Sequence, residues 1–206
     1  MAGAGGLGYK SPIVTFSPME RPAMSRATAL LVIDAQQALT RGRYATWEAG
    51  AVVARIRALA ERARAVGAPV IFVQHESAEP GDLLERGSEG WQLDADLQAQ
   101  AQDWRVAKRS SDAFHQTDLA SRLRAAGVRR LVVCGMQSEF CVDSTVRQAL
   151  VQGFDVLLVQ DAHTTLDSQA LSAAQIRAHE NATLPGLDSY AARVSLSPAD
   201  AVSFDA

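Results

Sequence analysis

Cysteine is scarce. The 206 residues hold two, Cys134 and Cys141, too few for the disulfide framework by which small secreted domains offset a thin core. A reducing compartment suits such a chain, and the N-terminal residues lack the charged and apolar regions of a secretory signal, so the expected location is cytoplasmic. Long apolar runs are missing too. None approaches the ~20 residues that a membrane-spanning helix needs, and no membrane partner is expected. Nor is there an excess of basic residues: 20 Lys and Arg face 23 Asp and Glu, for a net charge of -3, which leaves no electrostatic footprint for nucleic acid. No Gly-x-Gly-x-x-Gly follows the first predicted strand, which argues against a dinucleotide-dependent oxidoreductase. Histidine is limited to His75, His115, His163 and His179. A lone histidine after a strand is more often a hydrogen-bonded loop residue than a ligand, so neither a metal nor another cofactor is expected.

What is present is an ordinary globular profile, 48% hydrophobic and 21% charged, long enough for one domain with a real core. Residues 1–27 are rich in Gly, Pro and Ser without sustained periodicity and read as a flexible arm; residues 28–206 read as the domain. Short apolar runs mark strands at Ala29–Ile33, Val70–Val73, Trp104–Ala107, Leu131–Cys134, Asp155–Val159 and, as an edge, Ala192–Leu196. Between the first two, Val52, Val53, Ile56, Leu59, Ala63 and Val66 trace one face of a helix that Gly67-Ala68-Pro69 stops. Further helices are expected after Thr117 or Asp118, after Cys141, and over Ser168–Thr183. Strand, helix, strand at this spacing is a right-handed parallel crossover. The fold class expected is therefore α/β, with a central, mainly parallel six-stranded sheet flanked by helices. Residues 77–103 have no period and form a long excursion over the carboxyl edge of that sheet, where loops of such length are usually functional.

The chemistry is expected along 131–150. There a buried strand, a turn at Gly135 and a helix deliver Cys141 close to a helix N-terminus, where the macrodipole favours a thiolate. By itself a cysteine in that position is more commonly a small apolar filler. Other strand ends add company: Asp34 follows the first strand, His75 the second and Lys108 the third, all at the edge where open parallel sheets bind ligands. An acid, an amine and a thiol together are the parts of an activated nucleophile with a proton carrier. The same residue types also serve as caps and ion-pair partners.

The motifs resemble those of a known family. Ala29-Leu-Leu-Val-Ile-Asp34-Ala-Gln36, then Val106-Ala-Lys108 with Ala113-Phe114 and Thr117, then Gly135-Met-Gln-Ser-Glu-Phe-Cys141-Val142 are similar to the three catalytic motifs of the isochorismatase-like cysteine hydrolases, in the family's order. Gly90-Trp91 and Asp161-Ala162-His163 resemble further family segments. The resemblance implies a three-layer, Rossmann-like fold and a catalytic triad of Asp34, Lys108 and Cys141. It also implies a cis peptide at Met136-Gln137, with an oxyanion hole formed by the N–H groups of Gln137 and Cys141. Retention of the cysteine points to the amidohydrolase branch, which includes nicotinamidases, carbamoylsarcosine amidohydrolases, ureidoacrylate and biuret hydrolases, and streptothricin hydrolases; Gln137-Ser138-Glu139-Phe140 and His179-Glu180-Asn181 resemble streptothricin-hydrolase-like and uncharacterised members. The expected activity is hydrolysis of a C–N bond in a small amide, lactam or ureido compound through a thioester, by a homodimer or homotetramer. Gln36, Trp91, Phe114 and His163 are expected to line the substrate pocket. The alternative is a member of the same fold that binds a small molecule or a partner without turnover.

Overall fold

A computed structural model describes residues 27–204. The arm expected over 1–27 lies, apart from Ala27, outside the described residues. Six strands carry the fold: β1 (Ala27–Ile33), β2 (Val70–His75), β3 (Trp104–Lys108), β4 (Val128–Met136), β5 (Asp155–Thr164) and β6 (Val194–Ser197). They form one sheet in the order β3-β2-β1-β4-β5-β6, and every neighbouring pair is parallel. The expected sheet is thus present, with no antiparallel member among the described residues.

Helices cover both faces, which is why the central strands read as unbroken apolar runs. The helix α1 (Gln37–Thr40) is a single turn that follows β1, and α2 (Ala49–Ala65) packs one sheet face, placing Val52, Ile56, Leu59 and Ala63 against Leu30, Val32, Phe72 and Val132. On the opposite face, α3 (Leu119–Ala125) and α4 (Asp143–Val151) bring Leu119, Leu123, Val146 and Ala149 to Leu31, Ile33, Val73 and Val133. Each fully buried aliphatic side chain of these layers stabilises the fold by about 1.5–3 kcal/mol relative to exposure. The last helix, α5 (Ala173–Thr183), packs on β5. Among the described residues no helix is long and apolar enough to cross a membrane.

Several element boundaries differ from the sequence expectation: β4 runs from Val128 through Gly135, where a turn was expected, to Met136, and three further differences have a local reason. The strand β5 continues through the polar run to Thr164, because its pairing with β4 shifts register after Val133 and resumes at Gly135↔His163 and Met136↔Thr164. The start of α5 falls at Ala173 rather than Ser168, since Ser172 and Gln175 form a reciprocal capping box there. Between β4 and α4 the chain makes one π-helical turn, Ser138–Val142, so Cys141 sits before the α-helix proper.

Strand order reverses direction between β1 and β4, which pair side by side at Ile33↔Gly135. In open α/β sheets the crevice beyond the carboxyl ends at such a reversal is where ligands bind. The 77–103 excursion returns across this edge and is tied there. Leu93 bridges to Gln36, and Asp94 accepts hydrogen bonds from Thr40 Oγ1 at 2.6 Å and from Arg41 Nη2 at 2.7 Å.

Candidate active site

Four consecutive strand ends supply the crevice. Asp34 leaves β1 with φ +46, the left-handed region that Asp tolerates better than most side chains, and its N–H donates to Val73 O at 3.1 Å. His75 and Lys108 are register partners at the ends of β2 and β3. Lys108 points inward and is fully buried; its Nζ lies 2.6 Å from Asp34 Oδ2, whose side chain is also buried. The same ammonium donates to Cys141 Sγ at 3.2 Å and to Ser110 O at 3.0 Å, and it lies 3.2 Å from His75 Nδ1. Ligating atoms of Asp34, His75 and Cys141 lie within 4.8 Å of one another, a grouping that could surround a cation. Lys108 Nζ, in hydrogen-bond contact with all three, is that cation.

The electrostatics reverse one expectation. Proximity to a helix start was expected to make Cys141 ionise easily, whereas its thiol is pushed up to about 12. Burial is the largest cause and the Asp34 carboxylate the next; Lys108 opposes both without prevailing. The macrodipole argument fails because Cys141 lies on a π turn ahead of α4 and beside a carboxylate. For Lys108, burial pulls its pKa down, but Asp34 and Cys141 more than compensate and the net shift is upward. At rest the crevice therefore holds a carboxylate–ammonium pair beside a protonated thiol. Asp34 Oδ1 is buried without a hydrogen-bond partner, so an acceptor for the thiol proton stands ready in the same carboxylate.

The turn that carries Cys141 is fixed from behind. The Met136-Gln137 peptide is cis, and the Gln137 carbonyl accepts from the N–H groups of Phe140 at 3.2 Å and Val142 at 3.1 Å. Just before it, Gly135 has φ +122, and a Cβ there would stand 2.0 Å from Ile33 O. Only glycine lets β4 approach β1 this closely. Thr165 Oγ1 donates to Glu139 Oε1 at 2.9 Å, and His163 Nδ1 lies 2.9 Å from Ser138 Oγ. Asn181 Nδ2 donates to Gln160 O, which turns Asn181 Oδ1 toward His163 Nε2 at 3.0 Å. His163 Nε2 therefore carries the proton and Nδ1 accepts from the Ser138 hydroxyl. Burial pushes this imidazole down to about 4, so it is neutral here.

The four residues expected to line a pocket are not gathered in one place. His163 is fully buried and braces the turn. Gln36 is also fully buried: its Nε2 donates to the carbonyls of His75 at 3.0 Å and Trp91 at 2.9 Å, and its Oε1 accepts from His75 N–H at 2.8 Å. It clamps the excursion to β2. Phe114 stacks on Phe154 at 6.0 Å within the core. Trp91, partly exposed, lines a cavity of about 530 Å³ with Gln74, Arg86 and Arg105. None of Asp34, Lys108 and Cys141 lines that cavity; a smaller one, of about 380 Å³, touches Lys108 along with Glu76, Arg109 and His115. The Asp161-Ala162-His163 segment has the spacing of a ligand pair, but Asp161 is salt-bridged to Arg55 at 3.2 Å while His163 turns to Ser138. Sequence reasoning placed His75 at the right edge without giving it a role. Its signal was positional: it ends β2 on the same face as Val73, and so faces Lys108 across the register.

An isochorismatase domain model matches residues 28–188. A streptothricin hydrolase of Streptomyces noursei is 42% identical over 142 residues, which are 69% of this chain and 51% of that protein; a second one from the same organism is 40% identical over 148 residues, 72% of this chain and 58% of that protein. This chain thus spans about half the length of these relatives. Among solved structures, an isochorismatase family protein superposes with a TM-score of 0.75 at 34% identity, covering 83% of this chain and 98% of that one. The N-carbamoylsarcosine amidase of Thermoplasma acidophilum superposes with a TM-score of 0.71 at 25% identity, covering 85% and 98%.

Proposed function

This chain belongs to the isochorismatase family, and from that premise we propose that it is a cysteine hydrolase cleaving a C–N bond of a small amide, lactam or ureido compound, with Asp34, Lys108 and Cys141 as its catalytic residues. One observation carries the reading: a buried ammonium joins a carboxylate at 2.6 Å to a thiol at 3.2 Å, at the reversal point of a parallel sheet. Structural ion pairs are common, but a carboxylate and an ammonium pair without a thiol, and the thiol beside this one is a nucleophile.

The raised pKa of the Cys141 thiol supports one order of events. Since Cys141 waits as a thiol, its proton passes to Asp34 as sulfur attacks the carbonyl carbon, so the nucleophile forms only when an electrophile is present. The carbonyl oxygen gains the charge that sulfur loses, and the N–H groups of Gln137 and Cys141 receive it. Lys108 stays charged throughout and offsets the negative charge shared by Asp34 and the sulfur. Collapse of the adduct expels nitrogen, which takes the proton back from Asp34 and leaves a thioester on Cys141. Asp34, again a carboxylate, draws a proton from water as the water attacks the thioester. Release of the acid returns the proton to sulfur.

The relatives support the bond class: one is named for hydrolysing streptothricin and another for N-carbamoylsarcosine. A panel of nicotinamide, N-carbamoylsarcosine, ureidoacrylate, biuret and a streptothricin lactam, assayed for ammonia or acid release, tests the reading. Turnover is expected with at least one compound, an acyl adduct on Cys141 by mass spectrometry, and loss of both in Cys141→Ala. Acylation confined to Cys134, which is fully buried in β4, or undiminished turnover in Cys141→Ala, would remove Cys141 from the chemistry.

A further inference from the structure

We propose that His75 is a substrate-contacting residue of this site, a neutral imidazole whose Nε2–H donates to an oxygen of the bound amide, either a carboxylate or a second carbonyl next to the bond being cleaved. The proposal rests on the hydrolase reading above and adds a recognition element to it. A lysine ammonium can only donate hydrogen bonds. Its Nζ stands 3.2 Å from His75 Nδ1, so Nδ1 must present its lone pair, and the ring proton is left on Nε2. Lys108 thereby chooses the tautomer.

Position completes the argument. His75 is partly exposed where Lys108 is fully buried, and the one backbone group acting on its ring is Ser110, which favours a ring proton. A ring nitrogen lies within 4.8 Å of Cys141 Sγ, so an acyl group joined to that sulfur would stand beside the imidazole. The backbone around the ring is immobilised, because the His75 N–H and C=O are both held by the Gln36 amide. Of the charged groups facing the imidazole, Lys108 from β3 opposes its protonation, while Asp34 beyond β1 and Asp82 from the excursion favour it. Burial acts first and in the same direction as Lys108, and the net shift is downward, so the neutral form persists around pH 7.

Two roles are separable by shape. Glutamine can place an N–H where Nε2 stands, and asparagine can place an acceptor where Nδ1 stands. With a compound from the panel that is turned over, His75→Asn and His75→Leu should each lose about 10- to 100-fold in kcat/KM, mostly through KM, as expected for one missing hydrogen bond to substrate. His75→Gln should stay within about threefold of the native protein. Full activity in Asn with loss in Gln would mean that His75 only braces Lys108, and full activity in all three would mean that it does neither; both outcomes overturn the proposal. If the leucine variant does not fold, the Gln and Asn pair decides. A second readout needs no substrate. In histidine-15N-labelled native protein, with His75 assigned by its disappearance in the Gln variant, the ring should be the Nε2–H tautomer at pH 7 and titrate below 6.5. An Nδ1–H tautomer or an imidazolium at pH 7 would overturn the assignment. Should the native protein turn over nothing in the panel, the hydrolase reading fails on its own, and the tautomer still tells whether the donor exists.

Discussion

Lys108 has three N–H bonds and four acceptors around it: Asp34 Oδ2, Ser110 O, His75 Nδ1 and Cys141 Sγ. The two at 3.2 Å share what the carboxylate and the carbonyl leave, so sulfur receives only part of one hydrogen bond until it becomes negative. Burial and then the Asp34 charge therefore outweigh the cation in direct contact with the thiol, which leads to a measurable sign. Labelling of Cys141 by iodoacetamide should keep accelerating up to pH 10 without a plateau, instead of levelling near the ~8.5 of a free cysteine. Asp34→Asn removes the charge that opposes ionisation and should lower the labelling midpoint while abolishing the proposed turnover; Lys108→Met should raise it. A native midpoint at or below the free-cysteine value would mean that Asp34 does not control the thiol. That Asp34, Lys108 and Cys141 would meet was legible from strand-end positions and motif order. The protonation state was not, because it depends on burial and on a carboxylate more than a hundred positions away in the chain.

At the scale of elements, the site is a meeting of β1 and β4, and Gly135 is where they come closest. A methyl group at 135 would press on the backbone of Ile33, the residue that sets Asp34, one peptide before the turn that sets Cys141. Gly135→Ala should therefore lower activity at least about 100-fold, a loss of the size that a displacement near 1 Å produces, while far-ultraviolet circular dichroism stays native. Gly153→Ala, where nothing stands within 4 Å of a new Cβ, serves as a comparison for the φ penalty alone; equal activity in the two variants would remove the collision as the cause. The strand cores were readable because Val, Ile and Leu buried on two faces leave an unbroken apolar signature. The carboxyl half of β5 was not: Gln160 to Thr164 looks like a polar loop, and it is held in the sheet by a shifted register and by His163 bonding backwards to the turn. Gln36 and His163 looked like pocket residues for the same reason. A polar side chain beside a site, read in one dimension, does not tell whether it faces ligand or supports those that do.

For the whole molecule, stability and chemistry lean on acidic groups in different ways. Glu180 on α5 is nearly fully buried, and its carboxyl is raised to about 7, first by burial and then by Asp143, with Arg147 opposing. A raised carboxyl binds its proton more tightly folded than unfolded. Its contribution is thus complete below pH 4.5 and is lost as pH rises through about 7. Glu180→Gln keeps the neutral form at every pH, so Tm should rise at pH 8 and stay near the native value at pH 5; the same shift at both would assign the effect to packing. The sheet itself was foreseeable as parallel and six-stranded from the alternation of apolar runs with an amphipathic helix. Where the strands lie relative to one another came only from pairing, and that order has a practical consequence. The 77–103 excursion separates Asp34 and His75 on one side from Lys108 and Cys141 on the other, and in the sheet β1 and β2 lie between β3 and β4. Cutting the chain there would yield two pieces, each with half of the reactive groups and each silent alone; the proposed activity would return only on their reunion, as in a split reporter.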